Sequence, residues 1–169
     1  ATKDAGASIS IASPIEMTMR HGMPPIMKAM AMGIQPSLST DVECTMTADF
    51  FTQMRSIFTL QRMQVNEMAL AGRKDTPPLL TSRDVIRFAT VEGAKTLKLD
   101  RKVGSLSPGK EADILLLDAT AINVAPLNHV PGAVVTLMER SNVDTVFVAG
   151  KARKWKGKLL DADLPKMRA

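Results

Sequence analysis

The stretch Gly33-Ile34-Gln35-Pro36-Ser37-Leu38-Ser39-Thr40-Asp41-Val42-Glu43 constrains this chain more than any other. A short, largely apolar run stops at Ser-Thr-Asp, and a polar loop then leads into a long helical pattern. Such a run reads as the end of a buried strand that delivers a carboxylate to the face where an α/β barrel collects its catalytic groups. An Asp after a strand also serves as a turn or N-cap carboxylate for the following helix. On the residues alone, both roles stand open for Asp41.

Upstream, Ala7-Ser8-Ile9-Ser10-Ile11-Ala12 alternates small and apolar residues and predicts a strand ending at Ser13-Pro14. Glu16 to Met23 is expected as a polar, Met-rich loop carrying His21 and Gly22. Pro24 and Pro25 open a helix, where their missing amide hydrogens cost nothing. Ile26, Met27, Met30 and Ala31 form its apolar face, and Gly33 stops it. Ile34 to Leu38 is the next strand, in which Pro36 is tolerated only near the start. Strand, loop, short helix, strand is one βαβ unit of a parallel sheet.

Downstream, Thr47-Ala48-Asp49 starts a helix in which Phe50, Met54, Ile57, Phe58, Met63 and Val65 recur to about Ala71. Gly72 to Pro78 breaks the pattern. Thr81 and Asp84 form a capping pair, and Val85, Phe88, Ala89, Val91 and Leu97 predict a second helix to about Thr96. Pro108-Gly109 makes a tight turn before Ile114 to Leu117, a strand expected to be buried on both faces. Val143-Asp144-Thr145-Val146-Phe147-Val148-Ala149-Gly150-Lys151 predicts a strand, a turn and a return strand.

Three of these segments follow Ser39-Thr40-Asp41 in a recognisable series. They are Ala89-Thr90-Val91-Glu92-Gly93-Ala94-Lys95-Thr96-Leu97, then Gly104-Ser105-Leu106-Ser107-Pro108-Gly109-Lys110-Glu111-Ala112-Asp113-Ile114-Leu115-Leu116-Leu117-Asp118, then Val143 to Lys151. In order and spacing they resemble the metal-dependent amidohydrolase superfamily, in the branch of cytosine, guanine and adenosine-type deaminases and triazine hydrolases. The resemblance covers nearly the whole chain. It implies an α/β fold, the C-terminal part of a TIM-like (β/α)8 barrel with its last two βα units, plus part of a flanking β-sandwich. Residues 1–100 would hold the βα units and following helices, and residues 101–169 the sandwich part.

The resemblance further implies that Asp41 binds a divalent metal, zinc or iron, and handles protons for the attacking water. Such an ion lowers the pKa of its water to about 7. The family's other ligands are histidines, including a His-x-His pair on the first barrel strand. This chain has only His21 and His129, not in such a pair, so the remaining ligands are expected from sequence absent here. His21 and Glu16, after the preceding strand on the same barrel face, are the candidate substrate contacts, with a solvated loop as their plainer role. His129 is expected in the sandwich without a catalytic role, and Asp113 and Asp118 as strand-end and turn residues.

The expected reaction is hydrolytic deamination, or related C–N or C–Cl hydrolysis, of a nucleobase-like or triazine heterocycle. A ring-opening relative of imidazolonepropionase or hydantoinase type stays open, because the histidines that separate the branches lie upstream. A different class also stays open: a non-enzymatic interaction module that binds acidic partners through the basic hairpin at Lys151 to Lys158. Net charge is +5, much of it in that hairpin, but the alternating pattern fits a solvated face and no nucleic-acid partner is expected. No apolar run approaches the roughly 20 residues that span a bilayer, so no membrane helix is expected. The single cysteine, Cys44, suits a reducing cytoplasm; three residues after Asp41 a reactive or ligating thiol stays open, and a small buried hydrophobe is the plainer reading. Twelve methionines, largely at helical spacings, suit pliable core and pocket lining. A start without Met or an apolar signal core fits a chain cut from a longer protein. A barrel needs about 200 residues or more, so this piece is expected to be inactive alone. Its open sheet edges are expected to be covered by the missing N-terminal segment, another chain, or self-association into a homo-oligomer.

Overall fold

Two short parallel strands and a four-stranded antiparallel meander are joined through a layer of helices. The computed structural model describes residues 4–44 and 46–168. Strand β1 (Ser10–Ile11) leads into helix α1 (Ser13–Thr18), then α2 (Ile26–Ala31) and strand β2 (Ser37–Leu38). The strands pair in parallel, Ser10 beside Ser37 and Ile11 beside Leu38. Pro36 stands just before β2, where no ladder amide is required. Gly33 ends α2 as expected: at φ 71° it lets its own amide reach Met30 O at 2.9 Å and that of Ile34 reach Ala29 O at 2.9 Å.

The segment read as a loop from Glu16 is partly helical. Pro14 sits in the first turn of α1, and the Glu16 carboxylate bonds the Ala12 amide at 2.9 Å, closing the helix start. Six residues are too few for a hydrophobic period to announce such a helix.

Helix α3 (Phe50–Leu70) starts where Asp49 accepts the Phe51 amide at 3.0 Å. Its buried face is Phe51, Met54, Ile57, Leu60 and Val65, whereas Phe50 and Met63 of the expected stripe face outward. The helix packs against α1 and α2 and two later helices at once, and that packing selects the face. Gln61, fully buried, donates to Pro78 O and accepts from Leu80 N, each at 3.0 Å, and so ties the following loop back onto α3.

Helix α4 (Ser82–Ala89) carries the expected reciprocal cap between Thr81 and Asp84. The single helix predicted to Thr96 is broken at Thr90 (φ −128°, ψ −87°), and α5 (Val91–Thr96) continues from there. Thr90 Oγ1 bonds Ile86 O at 2.7 Å, the local competition with backbone that makes threonine a poor mid-helix residue.

The meander runs β3 (Ile114–Leu117), β4 (Val143–Val148), β5 (Lys151–Trp155) and β6 (Lys158–Leu159), in that spatial order. Between β3 and β4, helix α6 (Val130–Thr136) packs against α3 and α4. A last helix, α7, spans Leu164–Arg168. The predicted hairpin is present. Its turn, Ala149 (φ 49°) and Gly150 (φ 76°), has the two left-handed residues whose twist matches the strands. Strand β3 is not buried on both faces: Leu115 is 58 % and Leu116 48 % exposed. One core cluster joins the two halves, with Ile11, Leu38, Ile57, Phe88, Val124 and Val135 among its members. No described helix is long and apolar enough to cross a membrane.

Candidate functional site

Parallel pairing sends the C-terminal ends of β1 and β2 to one side, so the segments that follow them leave the sheet together. Asp41 follows β2 on that side. It is exposed, and its backbone is left-handed at φ 56°, a conformation Asp tolerates better than most residues. Its amide donates to Ser39 Oγ at 3.0 Å, while the Ser39 amide donates to Ile11 O at 3.0 Å. The loop onward to α3 is closed by Glu43, whose Oε2 accepts the Ala48 amide at 3.0 Å.

Glu16 and His21 lie on the segment that leaves β1. One oxygen of the Glu16 carboxylate is engaged with the Ala12 amide at the strand end. His21 is exposed, and its amide donates to Glu16 O at 3.3 Å, which links the two candidates through the backbone. Among the described residues no hydrogen bond joins either of them to Asp41. Cys44 is exposed rather than buried, since its loop projects beyond the sheet. His129 does not sit in a strand: its Nδ1 accepts the Gly132 amide at 3.1 Å and caps α6.

Asp41 offers one hard oxygen donor. Among the described residues there is no group of three His, Cys, Asp or Glu that could hold a metal ion, so the residues present do not complete a coordination sphere. A cleft of about 910 Å³ opens between the strands and the meander, lined by residues that include Leu38, Ser39, Ala94, Gly104, Leu115 and Phe147. Ser39 borders it, whereas Asp41, Glu16 and His21 do not.

A mixed α/β chain with a carboxylate just past a parallel strand falls in the broad class of α/β folds that collect side chains at the C-terminal ends of their strands. The particular assignment is narrower: the chain belongs to the amidohydrolase family, which matches residues 3–153. It is similar to the 5-methylthioadenosine/S-adenosylhomocysteine deaminase of Moorella thermoacetica, 28 % identical over 150 residues covering 87 % of this chain and 33 % of the relative. The protein of the same name from Pyrococcus abyssi is 29 % identical over 164 residues, covering 96 % of this chain and 36 % of the relative. Among solved structures, a zinc-bound adenosine deaminase from Xanthomonas campestris superposes with a TM-score of 0.84 at 24 % identity, covering 98 % of this chain and 36 % of that one. A triazine hydrolase variant superposes with a TM-score of 0.82 at 19 % identity, covering 98 % and 35 %. At these identities the superpositions show a shared fold. The chain spans about a third of the length of the curated relatives it matches.

Two structural relationships escaped the sequence. The Ser39 hydroxyl serves the Asp41 amide, a side chain-to-backbone pattern that Ser two residues before a turn residue can signal. The Asp113 carboxylate serves the β4–β5 turn, which no local pattern could disclose.

Proposed function

We propose that this chain is the C-terminal third of a hydrolase acting on carbon–nitrogen bonds, which deaminates a nucleobase-like or triazine heterocycle. The observation that carries the reading is Asp41 at the C-terminal end of a parallel strand pair, in a chain that belongs to the amidohydrolase family. The deaminase names of the relatives from Moorella thermoacetica and Pyrococcus abyssi support deamination over other hydrolyses.

In this reading residues 1–100 supply the last two βα units of a (β/α)8 barrel, and residues 101–169 part of a flanking β-sandwich. The rest of the protein covers β2 and β3 at their free edges and brings the histidines that this chain lacks. Asp41 and those histidines would hold a divalent ion, zinc or iron, which would supply the Lewis acidity that makes water a competent nucleophile near neutral pH. Asp41 is the carboxylate of this chain that would handle the proton: it would take one from the attacking water and return it to the departing amine as the C–N bond breaks. His21 and the free oxygen of Glu16 reach the heterocycle from the segment beyond β1.

The full-length protein, assayed against aminopurines, aminopyrimidines and aminotriazines, is expected to release ammonia from at least one ring. An Asp41→Asn change is expected to lower turnover by about 10²–10⁴-fold and to reduce bound metal. A product heavier than substrate by one water, with no ammonia, would move the assignment to ring opening. Undiminished turnover and metal content in Asp41→Asn would remove Asp41 from the site.

A further inference from the structure

We propose that Ser39 is a positioning residue that aims the Asp41 carboxylate, an inference that rests on the catalytic role proposed for Asp41 above. The backbone at Asp41 fixes where its Cα–Cβ bond leaves the turn, and the amide of that turn is held by the Ser39 hydroxyl. That backbone is left-handed at φ 56°, a conformation Asp tolerates better than most residues yet at some cost in free energy, so a hydrogen bond to its amide helps to hold it.

The hold is a two-bond relay from the neighbouring strand. The Ser39 amide donates to Ile11 O of β1 at 3.0 Å, which fixes Ser39 against the sheet. The Ser39 hydroxyl oxygen then accepts the Asp41 amide at 3.0 Å, which fixes the turn in which Asp41 sits. Asp41 is thereby registered to β1 as well as to its own strand. Glycine or alanine in place of Ser39 would leave the first bond intact and remove the second. The Asp41 amide would then turn to water, the backbone would relax toward negative φ, and the carboxylate would leave its aim. A hydroxyl at this position therefore works through Asp41 and need not touch the substrate.

The test uses the full-length protein with Ser39→Ala, Ser39→Thr and Asp41→Asn. Ser39→Ala is expected to lower kcat by about 10–100-fold, with KM within about twofold, and to hasten metal loss to a chelator. Ser39→Thr, which keeps a hydroxyl, is expected to restore both. Should Ser39→Ala fail to fold, Ser39→Cys, similar in size but a weaker acceptor, is expected to show the same kcat loss to a smaller degree. Wild-type kcat and metal retention in Ser39→Ala or Ser39→Cys would overturn the role of Ser39 while leaving that of Asp41 in place. A lowered Tm with unchanged kcat would also overturn it, as would a Ser39→Thr variant no better than Ser39→Ala. Full activity in Asp41→Asn would instead overturn the reading on which this one stands.

Discussion

The Asp113 carboxylate accepts the Ala149 amide at 2.7 Å across 36 residues of chain, so the residue before β3 holds the turn between β4 and β5. The Gly150 amide bonds Ala112 O alongside it at 3.0 Å. Two of the motifs read from the sequence are thus clipped together. Removing the carboxylate should loosen the turn. Asp113→Ala is expected to destabilise the full-length protein by about 1 kcal/mol and Asp113→Asn, which keeps an acceptor oxygen, by less. Urea unfolding of both variants checks the order.

Gly104 performs the matching service between the first two motifs. At φ 88° it lies so close to α5 that an added Cβ would stand 2.6 Å from Ala94 Cβ. Gly104→Ala therefore combines a disfavoured backbone with overpacking, and a loss of about 2–4 kcal/mol is expected. Adding Ala94→Gly should recover the steric part and leave the backbone part. Thermal unfolding of the single and double variants separates them, and an unchanged Tm in Gly104→Ala would refute the close approach.

His129 caps α6 with Nδ1, which accepts the Gly132 amide at 3.1 Å. His129→Ala is expected to cost about 1 kcal/mol, whereas His129→Asn or His129→Asp keeps a cap acceptor and should cost little. Equal losses in all three variants, measured by chemical denaturation, would show that packing rather than capping is at stake.

The Asp118 carboxyl is held below the ordinary carboxylate range, chiefly by the Thr120 hydroxyl and then by the Thr120 amide. A depressed folded-state pKa adds stability that is present above the unfolded value and is lost as pH falls through the folded one. Carboxyl-detected NMR titration should place the midpoint of Asp118 below that of an ordinary aspartate. Thr120→Ala, which deletes the hydroxyl and keeps the amide, should raise that midpoint part of the way. No movement would assign the shift elsewhere.

Features stabilised by atoms a few residues apart were legible in the linear chain. The Asp49 cap of α3, the Thr81–Asp84 box of α4, the Gly33 stop and the Ala149–Gly150 turn all stand where their residues called for them. So did the parallel pairing of the two strands around α2, and the strand-end position of Asp41. Several missed features depend on partners far along the chain. The inward face of α3 is chosen by several helices, and the exposure of Leu115 and Leu116 by what lies over the sheet. Glu16 passed for a loop residue because its helix is held by one carboxylate rather than by a hydrophobic period.

The amino-acid order by itself determined several helix caps, a helix stop and the hairpin turn, and which carboxylate stands beyond a strand. Caps, stops and hairpin turns close within about four residues, so their free energy is written locally. Only the tertiary structure decided that Ser39 ties Asp41 to β1, that Gly104 abuts Ala94, and that Asp113 grips Ala149. Those contacts come into being when distant segments pack, and packing rewards combinations of surfaces that no single stretch of chain contains.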